Sequence, residues 1–597
     1  MAHHAMPFGA KVQQDGVQFA LYAPTAKSVD LALGDGRMLP MARDDAGLYS
    51  IVAPALSAGA RYRFRIDGDL LVPDPASRAQ PDGVDADGVV VDSRAYDWRA
   101  RDWRGRPWHE AVIYEAHVGT ATPEGTFAAL AAKLPALAEF GITALQLMPV
   151  ADCPGARNWG YDGVLLFAPN SAYGSPEDLR ALIDAAHGLG MMVFLDVVYN
   201  HFGPSGNYLH AYAGTFFSEK HPTPWGAGMN VDGEQSRIVR DFFIHNALYW
   251  IEEFGFDGLR FDAVHAIEDD SDPHILGEIA TAIRAYASDA HVHLILENEH
   301  NAARWLARDA ANEPVFYTAQ WNDDIHHCLH TLLTGESDSY YGDFVDAPAK
   351  RLARALAEGF VYQGETSSNL GRARGEPSNH LPPTAFVSFL QNHDQVGNRA
   401  FGERIGALTS PEKLAFAHEV LMLAPQIPMF FMGEEWDATT PFQFFVDFAS
   451  DPNLSRAVRD GRQKEFARFA AFSDAGSVPD PTALATFERS KLAWAERNAA
   501  PHRDALARNR ALLTTRRTMI APLLAGRFLG ASAGQGTDLL DIIWRFDTGD
   551  LRLIANPTDI RQPASLDAGW RIAHGAPDAS SIAPWSCIAA VRLSRDA

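Results

Sequence analysis

The 597-residue sequence predicts an α/β architecture: a (β/α)8 TIM barrel with an N-terminal β-sandwich domain and a C-terminal β-domain. Three observations predict it. The chain is too long for one hydrophobic core. Its middle alternates apolar strand-like runs with helical patterns. Its two ends instead carry short alternating runs broken by turn signals. The expected domains are residues 1–95, 96–515 and 516–597.

Residues 1–95 contain GVQFALYAP, SVDLALGDG and YRFRIDGDLLVPDP, with DG, GDG and DP turns between them. Period-2 runs at that spacing predict a small sandwich. The stretch DWRARDWRGRPWHEA (97–111) reads as a linker.

The first barrel strand is AVIYEAHV (111–118), followed by a helix with Phe127, Leu130, Leu134 and Leu137 on one face, interrupted at Pro135. ALQLMPV (144–150) is the second strand. A helix follows it, with Ser175 as N-cap, Pro176 in the first turn and Gly190 at the C-terminal end. The third strand is MVFLDVVY (192–199), then a helix over 241–255, then GLRFDAV (258–264) and HLILEN (293–298). PVFYTAQW (314–321), AFVSFLQ (385–391) and QIPMFFMG (426–433) complete eight. A doubly wound sheet is the alternative, but no glycine-rich phosphate fingerprint follows the first strand. Beyond about residue 515, DLLDIIWRFD, LRLIANPT and SCIAAVRL return to β character.

Hydrophobic residues are 47% and charged residues 21%, the balance of an ordinary folded protein, and the net charge is −24. Such an acidic surface disfavours nucleic acid and anionic membrane, so neither is expected as a partner. Cys153, Cys328 and Cys587 are too scattered for a disulfide framework or a zinc knuckle. No leader and no bilayer-spanning stretch is read, so the expected location is cytoplasmic, as a monomer or homodimer. His3 and His4 read as incidental residues on a mobile terminus. No metal and no cofactor is expected.

Barrel chemistry is built where the strands end. There the sequence places Asp196, Asn200 and His201; Arg260, Asp262 and His265; Glu297 and Glu299; Asp323, Asp324, His326 and His327; Asn392, His393 and Asp394. In GLRFDAV, Arg260 and Asp262 share a face, so both point toward the barrel axis. A guanidinium beside an aspartate favours its ionised form, and an oriented carboxylate can attack an anomeric carbon. A protonated carboxyl on the next strand, Glu297 or Glu299, then serves the leaving oxygen. Two such groups about 5 Å apart make a retaining glycosidase. The competing reading is a structural ion pair inside the barrel.

At these residues the sequence resembles the α-amylase superfamily. DVVYNH (196–201), GLRFDAV (258–264), ILEN (295–298) and QNHD (391–394) are similar to its four signature regions, in order. The resemblance implies Asp262 as nucleophile, Glu297 rather than Glu299 as general acid/base, and Asp394 as transition-state stabiliser. It implies sugar contacts or orienting roles for Arg260, His201, His393, Asn200 and Asn392. Trp159, Tyr161, Trp321, Trp436 and Phe442 are candidate sugar platforms. His265 and Asp324 are further candidate contacts.

The run RNWGYDGVLLFAPNSAYGSPEDL (157–179) is similar to the branch holding branching, debranching and trehalose-releasing members. AQWNDDIHHCLH, FVYQGE, GEEWDATTPFQFFVDF and VPDPTALATFERSKLAW resemble the trehalose-releasing members in particular. Val446 and Phe448 stand where those members carry a hydroxyl and an imidazole. The implied substrate is maltooligosyltrehalose, an α-1,4-glucan ending in trehalose. The implied reaction cleaves the α-1,4 bond beside that end, with recognition in the loops around Asp324, His326 and 436–448. The alternative within enzymes acts on α-1,6 linkages. A non-catalytic glucan-binding protein is disfavoured because all three carboxylates are present.

Overall fold

The computed structural model describes residues 4–223, 225–287, 289–466, 478–534, 538–578 and 580–594. Eight parallel strands close a barrel in sequence order: β1 (Ile113–Ala116), β2 (Ala144–Leu147), β3 (Met192–Val197), β4 (Gly258–Phe261), β5 (His293–Leu296), β6 (Ala319–Trp321), β7 (Phe386–Phe389) and β8 (Ile427–Phe431). β1 pairs with β8, Ile113 opposite Met429, which completes the closure. Each strand lies inside its predicted run. The flanking residues, among them Asp262, Glu297 and Gln391, fall just past the strand ends, where the catalytic rim forms. Ile113, Phe194, Ile295, Val387, Phe389 and Met429 fill the barrel axis as an apolar plug beneath that rim.

The helices follow local signals. Ser175 caps α1 (Pro176–Gly188), and Asp178 reciprocates by accepting the Ser175 N–H at 2.8 Å. Past its end Gly190 takes a φ of +72°, which a glycine adopts without strain. Pro135 divides the first predicted helix into Phe127–Ala131 and Leu134–Phe140, and it sits in the first turn of the second. α2 (Ser236–Phe254) starts five residues before the predicted 241. Its extra turn is held by Arg237 and Arg240, which ion-pair with Glu278; charged residues on that face masked the helical period.

The N-terminal residues form two antiparallel sheets. One joins Gly9–Gln13, Gly16–Tyr22, Leu48–Pro54 and Ala42–Arg43; the other joins Met38–Pro40, Val29–Leu33, Arg61–Ile66 and Leu70–Val72, with Gly88–Val89 on its side. Phe19, Leu21, Leu31, Tyr62 and Phe64 are the buried filling. The sandwich is tied to the barrel side by Tyr22, which donates to Gln235 at 2.9 Å, and by Thr25, which donates to the Tyr212 carbonyl at 2.9 Å. His4 also departs from its predicted mobility. It is buried, with Nε2 2.8 Å from His245 Nδ1 and Nδ1 3.1 Å from Glu252. His3 lies outside the described residues.

The C-terminal sheet is antiparallel, ordered Phe528–Ala533, Leu540–Phe546, Gly549–Asn556, Ser586–Leu593 and Arg571–His574. Trp544 of this sheet donates to the Leu356 carbonyl at 3.0 Å, which docks the sheet on the barrel's outer helices. Cys153, Cys328 and Cys587 are buried free thiols. Among the described residues no helix is long and apolar enough to cross a membrane.

Candidate active site

β3 and β4 pair with Asp196 opposite Arg260. Arg260 Nη1 lies 2.6 Å from Asp196 Oδ2, and both side chains are fully buried. The same nitrogen is 2.9 Å from Asp262 Oδ1. Nη2 is 2.9 Å from Glu297 Oε2. The Trp321 ring lies against the guanidinium, 4.1 Å from centroid to the central carbon. One cation therefore fixes three carboxyls at the ends of three adjacent strands.

The backbone completes the arrangement. Just after Asp262 the chain turns left-handed at Ala263, φ +40°, a strained value for a residue with a Cβ. That turn aims the Ala263 N–H at Glu297 Oε2, 2.8 Å away. Asn200 donates from Nδ2 to Asp262 Oδ2 at 3.0 Å. After β7, Asn392 caps a short helix and accepts the Asp394 N–H at 2.9 Å, so Asp394 enters the rim from a fixed first turn. Asn398 donates to Asp394 Oδ1 at 3.1 Å.

These groups do not titrate independently. Burial and the Glu297 charge push Asp262 well above the usual carboxylate range, against the pull of Arg260. Burial would also raise Glu297, but Arg260 and then the Ala263 N–H hold it below its ordinary value. Burial lifts Asp196 to about 6 despite Arg260. Burial raises Asp394 although His393 opposes it. Arg260 pulls Asp262 toward its ionised form, but its charge is divided among three carboxyls. Asp262 and Glu297 therefore titrate as a pair, each feeling the other's charge across Arg260.

The cleft above them measures about 560 Å³. Asp262, Glu297 and Asp394 line it together with Trp159, Tyr161, His201, His265, Asn392 and His393. Asn200 sits behind this surface and acts on Asp262. Arg260 lies beneath it. Trp159 rests flat on Phe442, centroids 5.2 Å apart, and donates to the Gln443 carbonyl at 3.0 Å. Glu299 also reaches the cleft, 3.6 Å from His265, but has no contact with Arg260 among the described ion pairs.

Other expected contacts are not brought to the cleft. Asp324 is wholly buried; it accepts the Val361 N–H at 2.8 Å and the Asn301 amide at 3.0 Å, and pairs with Arg374 at 2.9 Å. Asn322 caps the helix Asp323–Thr334, so the two aspartates project roughly 100° apart around its axis. Asp323 consequently faces the cleft, and Asp324 faces the loop at 360. His326 is turned to the Leu390 carbonyl at 2.7 Å. Trp321, Trp436 and Phe442 are buried, Trp436 against Trp494 at 5.0 Å. Val446 and Phe448 are buried outside the cleft lining, as is most of 436–448 apart from Phe444.

Sequence reasoning missed Trp225 and Glu115, and placed Asp323 at the rim without giving it a role. Trp225 lines the cleft and stacks on His201 at 5.3 Å. Burial and the Glu297 charge push Asp323 up to about 8. Glu115, on β1, is fully buried and binds His393. A carboxylate inside the apolar run AVIYEAHV was the same kind of signal that drew attention to Arg260. Among the described residues His221, Asp232 and Asp270 stand close enough to share a metal ion. None of them lines the cleft, and Lys220 Nζ lies 3.0 Å from Asp232.

Barrel, rim carboxylates and sandwich together define an α-amylase-type glycoside hydrolase. Residues 92–245 match the family described as alpha amylase, catalytic domain. Residues 7–76 match carbohydrate-binding module 48, the isoamylase N-terminal domain. Malto-oligosyltrehalose trehalohydrolase of Saccharolobus solfataricus is 42% identical over 82% of this chain and 84% of its own. The enzyme of the same name from Deinococcus radiodurans is 43% identical over 84% of this chain and 81% of its own. A crystal structure from Salmonella typhimurium, provisionally described as an alpha amylase, superposes with a TM-score of 0.94 at 44% identity, covering 98% of this chain and 100% of that one. The chain belongs to the malto-oligosyltrehalose trehalohydrolase family.

Proposed function

We propose that this chain hydrolyses the α-1,4-glucosidic bond next to the terminal trehalose unit of maltooligosyltrehalose. The products are trehalose and a maltooligosaccharide, with the anomeric configuration retained. The observation that carries the reading is the attachment of Asp262 and Glu297 to the two amino groups of one buried arginine, at the C-terminal rim of a barrel.

In this reading Asp262 is the nucleophile. Asn200 holds one of its oxygens and Arg260 the other. Glu297 is the acid and then the base. The substrate brings its glycosidic oxygen against Glu297, which carries the proton in the complex while Asp262 is ionised. Proton transfer to this oxygen and attack by Asp262 on the anomeric carbon break the bond, and trehalose leaves. Water, deprotonated by Glu297, then opens the glycosyl–Asp262 ester. Asp394 and His393 hold hydroxyls of the ring that distorts. His201, Tyr161, Trp159, His265 and Asn392 supply further sugar contacts from the cleft wall.

The leaving group lies on the Glu297 side, toward β6. In this reading the trehalose end lies near Asp323, Tyr340 and Arg374, which line the cleft. The division into 1–95, 96–515 and 516–597 fits this account, with catalysis in the central unit. The cytoplasm is the proposed compartment.

Product analysis tests the function. The enzyme is incubated separately with maltotriosyltrehalose, maltopentaose and an α-1,6-branched glucan. Free trehalose from the first, with little cleavage of the others, is expected. Attack on the branched glucan without release of trehalose would overturn the reading.

A further inference from the structure

His393 sits in a hydrogen-bond chain that fixes its protonation state. Tyr161 donates its hydroxyl proton to Asp196 Oδ2 at 2.8 Å. A phenol has one such proton, and an ionised carboxylate only accepts. His393 Nε2, 2.8 Å from the same tyrosine oxygen, must therefore supply a proton of its own. On the other side of the ring, Nδ1 is 2.7 Å from Glu115 Oε1, and Glu115 Oε2 accepts the His393 backbone N–H at 3.0 Å. Both carboxylate oxygens are acceptors, so Nδ1 also carries a proton. The ring is an imidazolium, and Glu115 grips it by side chain and backbone together.

We propose that Glu115 is a positioning residue for the reaction: it holds the His393 ring doubly protonated, with Nε2–H aimed between Tyr161 and Asp394. The proposal rests on the reading above that His393 meets the sugar. Nε2 lies 3.4 Å from Asp394 Oδ2, so the ring's charge also steadies the third carboxylate. A neutral imidazole would leave either Glu115 Oε1 or the Tyr161–Asp394 side without its donor from the ring.

The surroundings agree with this. His393 faces Glu115 and His117 from β1 and the loop after it, and Trp159 and Tyr161 from the loop after β2. It also faces Asp196 from β3, Arg260 from β4, Glu297 after β5, Trp321 from β6 and its neighbour Asp394. Burial alone would lower its pKa; Asp394 and Glu115 outweigh burial and the Arg260 charge, and raise it to about 9. Activity that needs the charged ring is present below that pH and lost as pH rises through it.

The test is Glu115→Gln, which keeps the size of the side chain, removes its charge and leaves one acceptor atom where there were two. Two readouts are taken. The first is the pH profile of kcat/KM on maltotriosyltrehalose. The second is the titration of the His393 ring, followed by NMR with histidines labelled at Cε1 and identified by the signal missing in His393→Asn. The alkaline limb and the ring titration are both expected to fall by about one pH unit or more. In a His393→Asn background, Glu115→Gln should move no limb. A purely structural Glu115 would lower rate or stability evenly across pH and leave both titrations in place, and that result overturns the proposal. Should the enzyme release no trehalose, the functional reading fails, but the ring titration still decides the role of Glu115.

Discussion

Arg260 and Asp196 form a 2.6 Å ion pair with both side chains completely shut off from water. Asp196 is not a reacting group, yet without it the guanidinium would lean wholly on Asp262 and Glu297. The pair sets the floor on which the two catalytic carboxyls are hung.

Removing that floor should be costly. Arg260→Ala leaves three carboxyls without their common counterion, and loss of one partner of a buried pair typically costs ~3–5 kcal/mol. A lowered melting temperature and abolished turnover are expected. Unchanged melting would show that the arginine carries no structural load.

Asp262→Asn and Glu297→Gln should each lower kcat on maltotriosyltrehalose by ~10³-fold or more while leaving circular dichroism unchanged. They should differ on a glycosyl fluoride, whose leaving group needs little acid help. Glu297→Gln should still be glycosylated by it, and Asp262→Asn should not. Equal behaviour on the fluoride would sink the division of roles.

How much of this was legible in the sequence varied from residue to residue. All eight barrel strands were visible as apolar runs, because parallel strands buried on both faces read that way. Arg260 and Asp262 stood out as charges inside such a run. Glu115 is the same kind of signal, a charge inside the apolar run AVIYEAHV. Asp323 and Asp324 could not be separated without knowing that the helix starts between them and the Asn322 cap. Trp225 lies on the hairpin of Phe217–Thr223 and Gly226–Met229, and its approach to His201 joins segments whose meeting no local pattern encodes. The turn at Ala263 left no trace in composition, since alanine carries no preference for positive φ.

Asp323 should make stability depend on pH. Its folded pKa, about 8, exceeds its ordinary value of 3.8. A raised carboxyl contributes stability that is fully present below the unfolded value and is lost as pH rises through the folded one. Asp323→Asn removes that loss. Melting temperatures of variant and wild type should diverge from pH 4 toward pH 9, with the variant relatively more stable at the alkaline end. A constant offset across that range would contradict the assignment.

Gly397 lets Trp159 lie where it does. A Cβ at this position would come within 2.1 and 2.3 Å of two atoms of the indole ring. Gly397→Ala should displace Trp159 and raise KM for maltotriosyltrehalose several-fold. Unaltered KM would show that the Trp159 ring contributes nothing to sugar binding.

The most direct measurement is capture of the covalent intermediate. Glu297→Gln is mixed with maltotriosyl fluoride, quenched, digested and read by mass spectrometry. The account predicts a glycosyl group esterified to Asp262, in the peptide that contains DGLRFDAVH. A fluoride consumed with no adduct, or an adduct on Asp394 or Glu299, would contradict it.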